Sequence, residues 1–263
     1  MEGNLKKMKA LIGEPINYSL LLDEELNLNQ LIGKKVQLFW TGRINCRKCN
    51  KEVKKTFGEG FCYECFVTAP EAAECILRPE LCKAHLGIGR DPEWEEKNHN
   101  QPHVVYLAAS SAIKVGITRL TQVPTRWIDQ GASEAIIIAK TPNRFEAGRI
   151  EVELKSLYTD KTSWQRMLKN EIDESIDLEE EKWQLEEQMP ADITDFFTED
   201  DEVVELHYPV IEYPTKVKSI KLDREPDFKA VLKGIKGQYL IFDEGQVMNV
   251  RSHTGYYVQL NWD

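Results

Sequence analysis

The six cysteines lie between residues 46 and 82, and their spacing is typical of metal binding. Four of them form two Cys-x2-Cys pairs, Cys46 with Cys49 and Cys62 with Cys65, separated by twelve residues. A Cys-x2-Cys turn directs two thiolates at one centre, and two such turns complete the tetrahedral all-sulfur shell of Zn²⁺. The pattern predicts a structural zinc site, because four protein ligands leave no coordination position open for a substrate. A disulfide framework is the less favoured interpretation.

The remaining two cysteines begin a second candidate zinc site. Cys75, Cys82 and His85 offer three ligands, and His99 or His103 would supply a fourth. Zinc accepts this mixture of thiolate and imidazole ligands. Alternatively, the two thiols are ordinary buried side chains and His85 is a surface residue, since free cysteine is often buried. The sequence leaves both interpretations open.

Charge is distributed unevenly along a chain whose net charge is −10. Residues 171–205 contain sixteen carboxylates and one base, Lys182, a net charge of −15 that leaves +5 on the other residues. Residues 34–55 contain eight bases and one acid, Glu52. A local basic stretch with interleaved aromatic residues favours nucleic acid as the partner, either DNA or RNA. No apolar run is long enough for a membrane span and no signal peptide is evident, so we expect a cytoplasmic protein without membrane contact.

These patterns predict an α+β protein with five segments. Strands at 16–22 and 36–41 occupy an N-terminal β segment, residues 1–45. A zinc-ribbon-like region follows over 46–100, with a hairpin at 57–61 and a polar linker at 91–102. An α/β core at 101–170 and an acidic segment at 171–202, with a helix over 173–188, come next. Six short β-rich stretches separated by glycines predict a small β-barrel or sandwich over 203–263, which the N-terminal strands would complete.

The core has the order strand, tight turn, strand, helix, strand, helix over residues 103–158, and a further helix is expected from Thr162. This order resembles the GIY-YIG nuclease superfamily, particularly a diverged branch whose second motif begins with lysine. The matching runs are 104–106 (VVY) and 114–118 (KVGIT), followed by Arg126 and Glu151. Together with the preceding cysteines, the runs 114–119 and 126–132 also look like a bacterial family of unknown function.

The nuclease resemblance implies metal-dependent cleavage of a phosphodiester. Tyr106 would help to activate water, Lys114 and Arg126 would contact phosphate, and Glu151 would hold a Mg²⁺ or Mn²⁺ ion. Gly148 lies one turn before Glu151, and its missing side chain is expected to leave room for that ion. Each residue taken singly also fits an ordinary structural role.

The core departs from the superfamily pattern at three positions. Val104 replaces the first glycine, Lys114 replaces the second tyrosine, and Gln130 stands where many members carry histidine. Two alternatives to a zinc-containing nuclease therefore stay open. One is a non-catalytic nucleic-acid-binding module, and the other is a protein-interaction scaffold with structural zinc. The acidic helix is either a solvated face or a mimic of nucleic acid that covers the basic zinc region, and the sequence leaves the oligomeric state undetermined.

Overall fold

The computed structural model describes residues 1–158 and 163–263, and within them the protein is a mixed α+β structure with three β-sheets. The strands are β1 (Glu2–Asn4), β2 (Lys9–Leu11), β3 (Asn17–Leu21), β4 (Glu25–Asn27), β5 (Lys35–Ile44), β6 (His103–Ala109), β7 (Ile113–Arg119), β8 (Glu134–Thr141), β9 (Val204–Glu205), β10 (Lys218–Ser219), β11 (Asp227–Lys236), β12 (Tyr239–Phe242), β13 (Gln246–Asn249) and β14 (Tyr256–Trp262).

The helices are short. The α-helices are α1 (Tyr63–Thr68), α2 (Pro92–His99), α3 (Thr125–Gln130), α4 (Arg144–Lys155), α5 (Trp164–Leu168), α6 (Leu178–Gln188) and α7 (Ala191–Thr194). The 3-10 helices are Leu28–Leu31, Pro70–Ala72, Glu74–Ile76, Pro79–Leu81, Ala84–Leu86, Leu120–Gln122, Asp243–Gly245 and Arg251–His253. Throughout the described ranges, none of the helices combines the length and the apolar character that crossing a bilayer requires. Thr162, where a helix was expected to begin, lies outside the described residues.

The largest sheet joins strands from both ends of the chain, in the order β1-β14-β5-β11-β12-β13-β10. β5 pairs antiparallel with both β11 and β14, so the predicted strand at 36–41 does join the C-terminal strands. The predicted strand at 16–22 instead forms β3, in a separate sheet of order β2-β3-β4. The two sheets share one core, in which Tyr18 and Leu20 cluster with Leu38 and Phe228.

Of the two predicted arrangements, a small β-barrel or a sandwich, the barrel is wrong. In the described residues the large sheet ends at β1 on one side and at β10 on the other, and these two strands do not pair with each other. They are only three and two residues long. Closing a barrel requires a continuous ladder of hydrogen bonds between the first and last strands, and edges this short cannot provide it.

Two further predictions about elements need correction. The stretches 203–210 and 216–222 were expected to be full strands, but only β9 and β10 form within them. The residues after β9 do not continue its ladder, because their backbone hydrogen bonds go to two different parts of the chain. Leu206 N–H donates to Ser133 O, and the His207 carbonyl accepts from Ile16 N–H. The expected linker at 91–102 contains α2, which Asp91 caps by accepting from Trp94 N–H at 3.1 Å. An Asp cap followed by proline is a helix-start signal, so the proline there marks a helix and not a linker.

The core elements follow one another in the predicted order β6, β7, α3, β8, α4, and their sheet has the order β7-β6-β8-β9. Every residue of β6 is buried, and its side chains alternate between two clusters. Val105 and Leu107 pack in one cluster with Ile150 of α4. Tyr106 and Ala108 belong to the other cluster, which contains Trp127 and Ile128 of α3. Burial on both faces explains why β6 is mostly apolar after His103.

The acidic segment packs against the core by a few apolar residues. Leu178, Leu185 and Ile193 join the cluster beneath β6, and Lys182 is buried with its Nζ 2.6 Å from Asp201 Oδ1. The other ion pairs of residues 171–202 go to Lys140, Arg149, Arg166 and Lys169. Among the described residues no acid of this segment pairs with a base of 34–55. In the described residues the segment therefore packs on the core, and its ion pairs do not connect it to the basic stretch 34–55.

Candidate metal centres and the groove between them

The four cysteines predicted to hold zinc come together. The Sγ atoms of Cys46, Cys49, Cys62 and Cys65 all lie within 4.8 Å of one another, and Cys49 and Cys62 are 3.8 Å apart. Two thiolates on one tetrahedral Zn²⁺ are separated by about 3.8 Å, because each Zn–S bond is about 2.3 Å long. The cluster is therefore compatible with a structural zinc ion.

Backbone N–H groups prepare one of these thiols, Cys46, as a ligand. Cys46 Sγ accepts from the N–H groups of Lys48 at 3.4 Å and Cys62 at 3.2 Å. Burial acts to raise the pKa of Cys46, but the N–H donors prevail and lower it to about 6. A thiol with a lowered pKa gives up its proton to a metal more readily.

A tight turn aligns the second pair of cysteines. Phe57 and Phe61 form an antiparallel bridge, as the sequence predicts for the hairpin. Gly60 in this turn has φ of +92°, and a Cβ there would lie 2.7 Å from Thr254 Cγ2, so the position requires glycine. Cys62 then caps α1 by accepting from Cys65 N–H at 3.4 Å.

The second cluster consists of Cys75, Cys82 and His99, all of them buried. His99 Nδ1 is 4.0 Å from Cys75 Sγ and 3.7 Å from Cys82 Sγ. His85 is not part of the cluster: it is exposed, and its ring packs against Phe145 with centroids 4.8 Å apart. The 3-10 helix Ala84–Leu86 carries His85, whereas α2, absent from the sequence-based prediction, carries His99.

His103 lies in β6, and its buried ring contacts the backbone two residues before it. Its Nδ1 is 2.7 Å from Gln101 O, and it is not in the group formed by Cys75, Cys82 and His99. The structure therefore brings His99, and neither His85 nor His103, to the second pair of cysteines.

A groove connects the two clusters. It consists of two adjoining cavities of about 480 and 430 Å³ that share Lys7, Glu59 and Arg251 as lining residues. Cys46 lines the first cavity and His99 lines the second. The basic lining residues are Lys6, Lys7, Arg47, Lys48, Arg119, Arg126, Arg144 and Arg251, and the acidic ones are Asp23, Glu59 and Asp129.

Some groove bases are paired with acidic neighbours, and others are not. Lys7 pairs with Asp129, and Arg251 pairs with Glu59. Arg47 also pairs with Glu59, and Lys48 pairs with Glu71. Within the described part of the chain, Arg126 makes no ion pair, and its guanidinium lies near the Tyr106 hydroxyl. Its charge is therefore available to an anion in the groove.

Arg119 and Arg144 are fixed by oxygen acceptors without charge. Arg119 donates to Asn98 Oδ1 at 2.6 Å, and Arg144 donates to the carbonyls of Cys75 at 3.0 Å and Ile76 at 2.9 Å. These contacts orient the two guanidinium groups without neutralising them. Both keep their positive charge at the groove.

A family model described as "Protein of unknown function (DUF2797)" matches residues 33–258. The chain belongs to this family. The DUF2797 match includes both cysteine clusters and every basic residue of the groove except Lys6 and Lys7. It confirms the expectation of a family of unknown function. Comparison with curated proteins and with solved structures finds no match.

Within the DUF2797 region, Tyr106 is fully buried beside the groove. Its hydroxyl donates to Gln130 Oε1 at 2.9 Å, and a Cβ on Gly116 would lie 2.7 Å from its Cζ. Burial raises the pKa of Tyr106, although the nearby Arg126 guanidinium acts to lower it. The hydroxyl is thus protonated, and it donates its hydrogen bond to Gln130 Oε1.

Neither Glu151 nor Lys114 lines the groove, although Glu151 is close enough to Tyr106 for its carboxylate to act to raise the pKa of that hydroxyl. Glu151 is buried on α4 and its Oε1 is 3.2 Å from Lys155 Nζ. Lys114 lines a different cavity with Trp164 and Tyr239. Of the four residues expected to act in catalysis, Arg126 is the one that lines the groove.

The room expected beside Gly148 is filled. A Cβ on Gly148 would lie 2.5 Å from the carbonyl carbon of Pro79 and close to the backbone nitrogen of Glu80. The glycine therefore allows the 3-10 helix Pro79–Leu81 to pack on α4. The expectation of an open ion site at this position is wrong, because the neighbour that fills it is distant in the sequence.

Proposed function

We propose that the protein binds nucleic acid in the groove between the two cysteine clusters, and that zinc at Cys46, Cys49, Cys62 and Cys65 maintains one wall of that groove. The observation that carries the proposal is the charge of the lining, eight bases against three acids in a chain of net charge −10. Positive charge concentrated in a concave surface attracts polyanions, because the low-dielectric walls focus the field.

The extent of the basic surface favours a polymer over a single small anion. The groove bases come from separate parts of the chain and line two adjoining cavities. A row of such bases suits successive backbone phosphates, which supply most of the affinity in non-specific binding. Trp94, half-buried in the lining, offers a ring on which a base can stack.

Zinc has a direct connection to the groove. Arg47 and Lys48 are the two residues between Cys46 and Cys49, so the metal that binds these thiolates also fixes the turn that carries the two bases. Four cysteine thiolates would hold the ion in a closed tetrahedral shell, and the chemistry that it supplies is structural. Loss of the metal is expected to weaken binding through disorder of this turn.

A metal-dependent phosphodiesterase is the second candidate function. It is favoured by the order of the elements from β6 to α4, which resembles the GIY-YIG core, and by the proximity of Arg126 to Tyr106. A divalent ion would be held by Glu151. The buried tyrosine and the pairing of Glu151 with Lys155 favour binding without turnover.

The test measures fluorescence anisotropy of labelled single- and double-stranded DNA and RNA with the full chain at low salt. The variant Arg47→Ala/Lys48→Ala changes the groove, and Lys34→Ala/Lys35→Ala removes two exposed bases of the same basic stretch that do not line it. We expect about a tenfold loss of affinity for the first, since it removes two phosphate contacts, and little change for the second.

One result would decide against the proposal. Absence of binding to all four nucleic acids favours the protein-interaction scaffold. Cleavage with Mg²⁺ or Mn²⁺ that disappears in Glu151→Gln would keep the binding and add the phosphodiesterase activity to it.

A further inference from the structure

The cluster of Cys75, Cys82 and His99 has the spacing of a second metal site. Ligand atoms of sulfur and nitrogen on one tetrahedral Zn²⁺ are about 3.6 Å apart, as follows from Zn–S and Zn–N bonds of about 2.3 and 2.05 Å. The distances from His99 Nδ1 to the two sulfurs are 3.7 and 4.0 Å. Three ligands are thus in place from two separate segments of the chain, 75–82 and α2.

A fourth donor lies beside them on the same helix as the histidine. Glu95 precedes His99 by four residues on α2, and its Oε2 is 3.8 Å from His99 Nδ1, the same atom that faces the sulfurs. The expected separation between an oxygen and a nitrogen ligand is about 3.3 Å. The carboxylate lies outside the group of ligand atoms that are all within 4.8 Å of one another, so it has to turn towards the two sulfurs to complete the shell.

The environment of Glu95 also favours a cation. Its side chain is 3% exposed, and its Oε1 accepts from Arg90 N–H at 2.8 Å, whereas its Oε2 is the oxygen that lies 3.8 Å from His99 Nδ1. Gly89 packs directly over the carboxylate, where a Cβ would overlap it. A buried carboxylate next to two thiols is costly unless a positive charge compensates it.

We infer that Cys75, Cys82, His99 and Glu95 bind a second zinc ion, in a closed site of two thiolates, one imidazole and one carboxylate. The ligands come from the segment 75–82 and from α2, so the metal ties these two elements together. Because Arg144 donates to the carbonyls of Cys75 and Ile76, the same ion fixes the backbone that orients a groove base.

The first experiment counts the metal. Native mass spectrometry and elemental analysis of the full chain, purified with zinc and without chelator, should give two zinc ions per chain. Cys82→Ser and His99→Ala should each give one, whereas His85→Ala, which removes an exposed histidine outside the cluster, should keep two. One zinc in the parent, or loss of a zinc in His85→Ala, would overturn the assignment.

The second experiment tests Glu95 in a variant that preserves the shape of the side chain. Glu95→Gln is compared with Glu96→Gln, which changes the exposed neighbour on the same helix. Chelator competition should show zinc affinity at one site lowered about tenfold or more in Glu95→Gln and unchanged in Glu96→Gln. Equal chelator resistance in the parent and both variants would exclude Glu95 as a ligand.

The link to Arg144 rests on the proposed nucleic-acid binding and is measured separately. Cys82→Ser and Arg144→Ala should weaken nucleic-acid binding by a similar factor, if thermal melts show both variants folded. Two zinc ions per chain without any nucleic-acid binding would support the second metal site and contradict only the proposed function. Unchanged affinity in folded Cys82→Ser would refute the positioning of Arg144 by the metal.

Discussion

The charge of the groove determines how steeply salt should weaken nucleic-acid binding. Eight bases less three acids leave five positive charges along the lining. Each neutralised phosphate contributes about −0.9 to the slope of log K against log salt for duplex DNA and about −0.7 for a single strand. The expected slopes are therefore about −4.5 and about −3.5, so raising the salt from about 50 to 200 mM lowers the duplex affinity roughly 500-fold.

Removing one unpaired base should change this slope by a measurable amount. Arg126→Ala leaves four charges, which gives a duplex slope of about −3.6 and roughly a 150-fold loss over the same salt range. Arg224→Ala is the control, because Arg224 is exposed and lies outside the groove. Anisotropy titrations at five salt concentrations would determine all three slopes. An Arg126→Ala slope equal to that of the parent, or a parent slope shallower than about −2, would refute the reasoning.

Four other substitutions test separate features of the structure. Cys49→Ser should lose one zinc by elemental analysis and melt at a lower temperature, because metal binding and local folding are coupled; an unchanged zinc content would contradict the four-cysteine site. Gly148→Ala should lower the free energy of unfolding in urea by about 1–3 kcal/mol through its clash with Pro79. Tyr106→Phe loses one buried hydrogen bond, so it should destabilise the fold by about 1 kcal/mol while anisotropy shows unchanged nucleic-acid affinity. Burial lowers the pKa of His103 to about 4. In the unfolded chain the imidazole binds a proton near pH 6.5, so the free energy of unfolding should fall by about 3 kcal/mol as the pH drops from about 6.5 to 4. Urea titrations should show a smaller fall in His103→Gln, which lacks the imidazole.

Features encoded over a few residues could be predicted from the sequence. Cys46 and Cys49 converge because two intervening residues form one turn, and the strands β6 and β7 follow from adjacent apolar runs. The position of β5 beside the C-terminal strands was also predictable, since both ends of the chain share one composition.

Apart from the pairing of β5, features that depend on contacts between distant residues could not be predicted. His99 replaces His85 because α2 folds back onto the second pair of cysteines, and the stretch that forms α2 was interpreted as a linker. Lys7 and Arg251 meet in the groove from opposite ends of the chain, and no local pattern marks either one. The roles of Tyr106, Lys114, Arg126 and Glu151 in catalysis stay predictions.

The position of β5 also has a consequence for synthesis on the ribosome. β5 starts at Lys35, but its two partner strands begin at Asp227 and Tyr256, so translation must continue for about 190 residues before either can pair with it. At about 5–20 residues per second, this interval lasts roughly 10–40 s. The cysteines at 46–65 are translated early in that time, and none of the four zinc ligands comes from a later residue. The ligand set would therefore be complete long before β5 has a partner, and over that interval β5 presents unpaired backbone N–H and C=O groups of the kind that promote association between chains.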